Sequence, residues 1–257
     1  MIGLVSIIRR YRSNLETSHG QRLLPAHRRA LDAMLRCRTP DAGHIRLQCP
    51  DCRSEVLRHQ SCGQRSCPQC QNHEASQWLD RQQAKLLPVE YFMATFTLPS
   101  ELRGLAWRHQ KIVYSLLCAT VSSTLRDFGH DARGLGGNIG LTLVLHTHAR
   151  NLDFHPHCHV VVPGGSLDRA RQQWRRKRGR YLFNAKALAQ VFRARLLDGL
   201  NRAGLPIPGG IPHVWVVDCR HVGKGEPALK YLSRYLYRGV ISERSIVDDR
   251  DGQVTFT

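Results

Sequence analysis

Acidic residues are scarce in this chain. It carries 20 Asp+Glu against 38 Lys+Arg, a formal net charge of +18 and a pI ≈ 10.2. So large an excess implies a polyanionic partner, nucleic acid first and an acidic membrane surface second. Long apolar runs are also missing. None approaches the ~20 residues of a bilayer span, which argues against insertion. The opening "MIGLVSIIRRYR" places its arginines after a short apolar run instead of before it, so a signal peptide is not expected. Internal repeats and low-complexity tracts are absent. An even cysteine count is lacking too: there are nine cysteines. With no secretory signal, that total favours a reducing compartment and metal ligation over a disulfide framework, with the cytoplasm as the expected location.

The 257 residues are enough to bury a substantial core in one large domain or two. The first part reads as helices. "PAHRRALDAMLRC" opens with Pro25 at a first helical position and places Ala30, Leu31, Met34 and Leu35 on one face. "HEASQWLDRQQAKLL" is a second helix, stopping at Pro88. Beyond Pro88 the pattern changes. "YFMATFTL" (91–98) is β-rich, and Ser100 can cap a long helix running to Phe128 and closed by Gly129. "NIGLTLVLHTH" (138–148), "HCHVVV" (157–162) and "HVWVVDC" (213–219) read as strands. "NAKALAQVFRARLLDGLNRAG", capped by Asn184 and ended by Gly204, and "PALKYLSRYLYR", from Pro227, read as helices. The expected fold is α+β, a mostly antiparallel sheet with helices on one face. Residues 1–88 would form a separate helical, zinc-binding domain ahead of residues 89–257.

Five cysteines crowd into residues 49–70. Cys49-Pro-Asp-Cys52 and Cys67-Pro-Gln-Cys70 are two Cys-x-x-Cys knuckles, each able to chelate one ion from a tight turn. Two such pairs fill a tetrahedral thiolate site, so Cys49, Cys52, Cys67 and Cys70 are the expected structural zinc ligands. A closed four-ligand site leaves no position for substrate. Its work would be to order a basic segment that cannot build a core unaided, placed to hold DNA. Cys62, His44, His59 and His73 are left unassigned.

"FHPHCHVVVPGG" (154–165) places histidines on every second residue before three valines and a Pro-Gly-Gly turn. In an extended strand His155, His157 and His159 share one face, while Cys158, Val160 and Val162 share the other. That strand is suited to wall a metal or phosphate site. In "KYLSRYLYR", Tyr231 and Tyr235 are four apart and project from one helix face. Lys230, Arg234 and Arg238 surround them, cations that can bind phosphates and favour phenolate. A metal held by imidazoles can draw charge from a phosphate oxygen while a tyrosine attacks phosphorus and holds the cleaved strand covalently. Two tyrosines permit two such linkages.

These residues resemble the two-tyrosine rolling-circle transposases of the HUH endonuclease superfamily that carry an N-terminal transposase zinc-binding domain. The resemblance rests on "SCGQRSCPQC", "LLPVEYFMATFTLP", "HPHCHVVVPGG", "FNAKALAQVFRARLLDGL" and "KYLSRYLYRGVIS", and covers nearly the whole chain. It implies nicking and joining of single-stranded DNA through a 5′-phosphotyrosine that leaves a free 3′-OH, with Mg²⁺ or Mn²⁺ as cofactor. Carried over, His157 and His159 are the metal pair and Tyr231 and Tyr235 the nucleophiles. His155 is the third ligand suggested by phase, with Asp153, His146 and His148 as alternatives. Cys158 is small for the middle position. The chain stops inside "GQVTFT", earlier than family members usually do, so truncation at the C-terminus is expected.

"WRRKRGR" (174–180) is the densest positive run. Arg175, Arg176, Lys177 and Arg178 can clamp phosphates while Trp174 or Tyr181 stacks on an unpaired base. Single-stranded DNA at element ends, hairpins included, is the expected partner. Two other readings compete. "HPHCHVVV" also fits a histidine-triad nucleotide hydrolase or transferase, in which the middle imidazole attacks an α-phosphate without metal. A non-catalytic zinc-dependent DNA-binding protein is the second.

Overall fold

A computed structural model describes residues 2–131, 135–149, 151–236 and 243–257, excluding the side chains at 71, 72, 234–236 and 244. It divides into two compact units, residues 1–78 with 233–257, and residues 79–232.

In the first unit, α1 (Leu4–His19) and α2 (Pro25–Arg36) are joined through Arg28. Its guanidinium donates to the Glu16 carboxylate at 3.0 Å and to the carbonyls of Gly20 at 2.7 Å and Leu23 at 2.8 Å. Pro25 occupies the start of α2, where its missing N–H costs nothing. The cysteine-rich segment then forms an antiparallel hairpin, β1 (His44–Gln48) with β2 (Glu55–His59), from His44 opposite His59 to Gln48 opposite Glu55. Cysteine spacing alone does not encode this hairpin. Helix α3 (Gln71–Gln83) follows.

The second unit is built on a four-stranded sheet. Its strands are β3 (Tyr91–Thr97), β4 (Thr142–His148), β5 (Phe154–Pro163) and β8 (Val217–His221), in the order β4-β5-β3-β8 and antiparallel throughout. Between β3 and β4 lie α4 (Arg103–Arg108) and α5 (Gln110–His130). The single long helix expected from Ser100 is broken: residues 100–102 form a 3₁₀ turn, and His109 leaves helical geometry at φ −124°, ψ 43°. The Ser100 hydroxyl donates to Glu101 and caps nothing. The break frees α4 to pack on β5. After β5 come the hairpin β6 (Gly165–Asp168) with β7 (Gln173–Arg176), then α6 (Ala185–Arg202). Asn184 caps α6 by accepting from the Ala187 N–H at 3.1 Å, as its sequence signature requires. Helix α7 (Glu226–Leu236) precedes β9 (Ile246–Arg250) and β10 (Gln253–Phe256), which pair in the first unit. There Asp249 of β9 accepts from the Tyr11 hydroxyl at 2.6 Å and from Arg10 at 2.9 Å.

Two further expectations shift. The strand expected at 213–219 begins only at Val217, because Trp215 turns into the core and donates its indole N–H to the Pro212 carbonyl. The Pro-Gly-Gly segment is a point of close approach between distant segments of the chain. A Cβ on Gly164 would meet the Glu90 carbonyl at 2.8 Å, and one on Gly165 the Trp174 ring at 2.5 Å.

Alternation sorts the sheet into two faces. Phe92, Ala94 and Phe96 of β3 and Cys158, Val160 and Val162 of β5 are buried with Leu117, Val121 and Leu125 of α5 and Leu188, Phe192, Leu196 and Leu200 of α6. Truncating one of these large side chains, such as Phe192, costs about 3–5 kcal/mol. The opposite face carries Thr95 of β3, His146 of β4 and His155, His157 and His159 of β5, while a register shift after His146 sets His148 opposite Phe154.

Candidate active site and metal centre

On β5 the rings of His155, His157 and His159 succeed one another with centroids 5.2 Å and 4.9 Å apart. The antiparallel register sets His146 of β4 directly opposite His157. His146 lies 5.1 Å from the His157 ring and 4.5 Å from the His159 ring. Ring nitrogens of His146, His157 and His159 lie within 4.8 Å of one another, and the group is buried. The third histidine of this group is therefore His146, not His155. His155 sits on the part of β5 that extends past the end of β3, and its Nδ1 accepts from Arg103 Nη2 at 2.5 Å.

Neighbouring groups orient the rings. His157 donates from Nδ1 to the His155 carbonyl at 2.6 Å, which leaves Nε2 with a lone pair for the centre. His159 Nδ1 pairs with the Thr95 hydroxyl at 3.0 Å. Metal-binding histidines usually have such partners on the far nitrogen. Burial pushes the His146 pKa down to about 3, helped by the charges of His159 and His157. Burial, with His157 and Arg220, pushes His159 down to about 4. His157 is also lowered, by burial. The imidazoles are thus neutral at neutral pH, the form that binds cations. Nitrogen donors of this kind accept a first-row or similar divalent ion.

Tyr231 of α7 faces this group. Its ring is 5.7 Å from that of His159 at 85°, and 6.4 Å from that of His146. Lys230 pairs with Glu226 at 2.6 Å, one turn earlier on the exposed face of the helix. Arg234 and Tyr235 fall within α7, but their side chains lie outside the described residues, as does Arg238 altogether.

The basic run occupies the β6–β7 hairpin and the segment after it. Trp174 packs over Gly165, and Arg175 is held by Asp168 at 2.7 Å. Arg176, Lys177 and Arg178 line a cavity of 560 Å³ with Glu90 and Gly179. Glu90 is itself engaged by His221 at 2.6 Å and Lys224 at 2.5 Å.

In the first unit the cysteines group differently from their spacing. Sulfurs of Cys37, Cys62, Cys67 and Cys70 lie within 4.8 Å of one another. A tetrahedral zinc thiolate with Zn–S of about 2.3 Å needs sulfurs about 3.8 Å apart, so the four fit such an ion. Cys37 and Cys70 are 3.3 Å apart, and Cys62 and Cys70 3.6 Å. Burial pushes the Cys37 thiol up to about 11 and raises Cys67 as well. Burial also acts to raise Cys70, but hydrogen bonds from Cys37, the Gly63 backbone and Cys62 bring it down to about 7.

Cys49 and Cys52 fall outside this group. They sit at the tip of the β1–β2 hairpin, where the Cys49 N–H donates to the Ser54 carbonyl at 2.9 Å and Arg53 takes a positive φ of 56°. The base of that hairpin is tied to the end of α2 through the Arg38 N–H to Gln60 carbonyl bond at 3.0 Å. Five extended residues, at roughly 3.4 Å each, carry the tip about 17 Å away. Cys37 and Cys62 flank the base and complete the set instead. The signals that point to them are a cysteine ending an amphipathic helix and the Cys62-x₄-Cys67-x₂-Cys70 spacing. The thiol of Cys52 is lowered to about 7, chiefly by the Ser54 hydroxyl.

A family model described as "Transposase zinc-binding domain" matches residues 7–98, and one described as "Putative transposase" matches residues 140–205 and 211–257. The protein named "Putative transposase y4qJ" from Sinorhizobium fredii (strain NBRC 101917 / NGR234) is 33% identical over 98% of this chain and 69% of its own length. The transposase for insertion sequence element IS801 from Pseudomonas savastanoi pv. phaseolicola is 26% identical over 71% of this chain, which spans 47% of that protein. Among solved structures, the conjugative relaxase TrwC in complex with mutant oriT DNA aligns over 48% of each chain, with 21% identity and a TM-score of 0.39. Among the described residues no helix is long and apolar enough to cross a membrane.

Proposed function

The chain belongs to the two-tyrosine transposases of the HUH endonuclease superfamily with an N-terminal zinc-binding domain, and on that premise we propose that Tyr231 attacks a single-stranded DNA phosphodiester beside an ion held by His146, His157 and His159. The observation that carries this reading is the buried, neutral imidazole group with the Tyr231 ring 5.7 Å from His159. A bound Mg²⁺ or Mn²⁺ supplies Lewis-acid withdrawal of charge from a phosphate oxygen. The remaining work belongs to side chains. Thr95 and the His155 carbonyl fix two rings so that their Nε2 atoms face the phosphate site. Tyr231 gives up its phenolic proton to solvent, its oxygen bonds to phosphorus, the bond from phosphorus to the 3′-oxygen breaks, and the departing 3′-oxygen takes up a proton from solvent. The products are a 5′-phosphotyrosine and a free 3′-OH, and rejoining reverses the exchange. Tyr235, four positions on in sequence, serves as the second nucleophile, with Arg234 and Arg238 its neighbours in sequence.

Residues 1–88 hold structural zinc on Cys37, Cys62, Cys67 and Cys70 and bind DNA, while residues 89–257 carry the chemistry. Lys230 and the cations of the basic run, Arg176 to Arg178, track the phosphates of a strand drawn from the element end or a hairpin within it. Trp174 stacks on an unpaired base. The protein works in the cytoplasm, where that DNA is. The histidine-triad and non-catalytic readings are not favoured, because neither belongs to the family the chain matches.

The test is incubation with 5′-labelled and 3′-labelled single-stranded element ends under Mn²⁺, followed by denaturing electrophoresis. A covalent protein–DNA band is expected, and it should disappear in a Tyr231→Phe, Tyr235→Phe double variant. An adduct that persists in that variant overturns the assignment.

A further inference from the structure

The histidine face has a neighbour that the proposed chemistry does not use. Strand β5 extends beyond the end of β3, since Thr97 is the last β3 residue and pairs with His157. Helix α4 packs on this projecting end. From it Arg103 reaches His155, with Nη2 2.5 Å from the imidazole Nδ1. A neutral imidazole acceptor does not cancel the guanidinium charge, and among the described residues no carboxylate pairs with Arg103. Its Nε is buried and lacks a hydrogen-bond partner among the described residues. A charge held in place, short of an anion and next to His155, suits a phosphate.

One turn further along α4 stands Trp107, 57% exposed despite its size. Its ring meets Phe154 edge-on, with centroids 5.0 Å apart at 81°. Phe154 packs against the core and also meets His148 at 5.8 Å. The indole is thus fixed along one edge by a rigid strand while much of its surface remains open. Fixed, exposed aromatic surfaces beside cations are the platforms on which unpaired bases stack.

We infer that Arg103 and Trp107 form a nucleotide clamp at the end of β5, Arg103 taking a backbone phosphate and Trp107 stacking on the unpaired base next to it. The clamp rests on reading the histidine face as the nuclease site. It would hold the strand two residues of β5 away from His157, so that the phosphate to be cut is presented in a set register. His155 is then a positioning residue: it orients the guanidinium through Nδ1.

The experiment compares binding of oligo(dT) and of an abasic strand of equal length to the full chain and to Trp107→Ala, Trp107→Phe and Arg103→Gln. The parent should prefer oligo(dT). Trp107→Ala should weaken oligo(dT) binding about tenfold and leave the abasic strand unaffected. Trp107→Phe, which keeps a ring against Phe154, should retain most of the preference and serves as the control for folding. Arg103→Gln should weaken both strands and reduce the salt slope by about one unit. A base preference unchanged in Trp107→Ala, or a salt slope unchanged in Arg103→Gln, overturns the clamp. Covalent adduct formation by the parent is read separately. Its absence alongside a Trp107-dependent preference would remove the nuclease reading and leave this strand-binding site standing.

Discussion

The Tyr231 ring stands edge-on to that of His159, with centroids 5.7 Å apart and planes crossing at 85°. Helix α7 and strand β5 thus present a phenol and an imidazole, 72 positions apart in the chain, to the same space. Tyr231→Phe keeps the ring and its packing while removing the oxygen. The first cleavage should fall by at least about 10³-fold, with single-stranded DNA affinity and thermal stability little changed. Single-turnover cleavage of a labelled strand measures this. Near-parental cleavage would remove Tyr231 from the chemistry.

Thr95 touches His159 through a 3.0 Å hydrogen bond to Nδ1. Thr95→Val keeps the shape and removes the hydroxyl, so it should lower Mn²⁺ affinity by about 10–100-fold. His146→Ala deletes a ring nitrogen of the group and should cost more than this. Calorimetric titration of Mn²⁺ into metal-free protein separates the two. Equal affinities in parent and His146→Ala would mean that the ion is held elsewhere.

The cysteine arrangement predicts unequal variants. Cys37→Ser or Cys62→Ser should strip the zinc and destabilise the first unit, because among the described residues the buried members of the cluster around these sulfurs are Met34, Cys37, Cys67 and Cys70. Cys49→Ser should leave the zinc of this cluster in place. Metal content by mass spectrometry, with thermal melting, tests both. Zinc lost from Cys49→Ser but retained in Cys62→Ser would reverse the assignment.

Acid should destabilise the metal-free protein from a defined starting point. Burial depresses His146 to about 3 and His159 to about 4. The unfolded chain, with imidazoles near 6.5, binds more protons below that pH. The stability contributed by the neutral pair is complete above about pH 6.5 and is lost as the pH falls toward 4 and then 3. Urea midpoints measured from pH 7.5 to 5 should fall, and His146→Leu should flatten part of that slope. A midpoint independent of pH over this range would contradict neutral burial.

Much of this is legible in the sequence. The cap at Asn184, the start of α2 at Pro25 and the two faces of β5 follow from local rules, since capping and alternation depend only on neighbours in sequence. The break at His109 and the late start of β8 were not legible. Each answers to a distant demand, the packing of α4 on β5 in one case and the burial of Trp215 in the other.

By itself the sequence determined the basic charge, the thiol-rich segment, and the fact that His155, His157 and His159 share one side of a strand. Tertiary structure alone decided the membership of each cluster. His146 joins because β4 pairs with β5 in a register that sets it opposite His157, while Arg103 engages His155. Cys37 and Cys62 join because a five-residue hairpin carries Cys49 and Cys52 away from Cys67 and Cys70. Strand register and hairpin reach are set by pairing between distant segments, and spacing along the chain does not encode them.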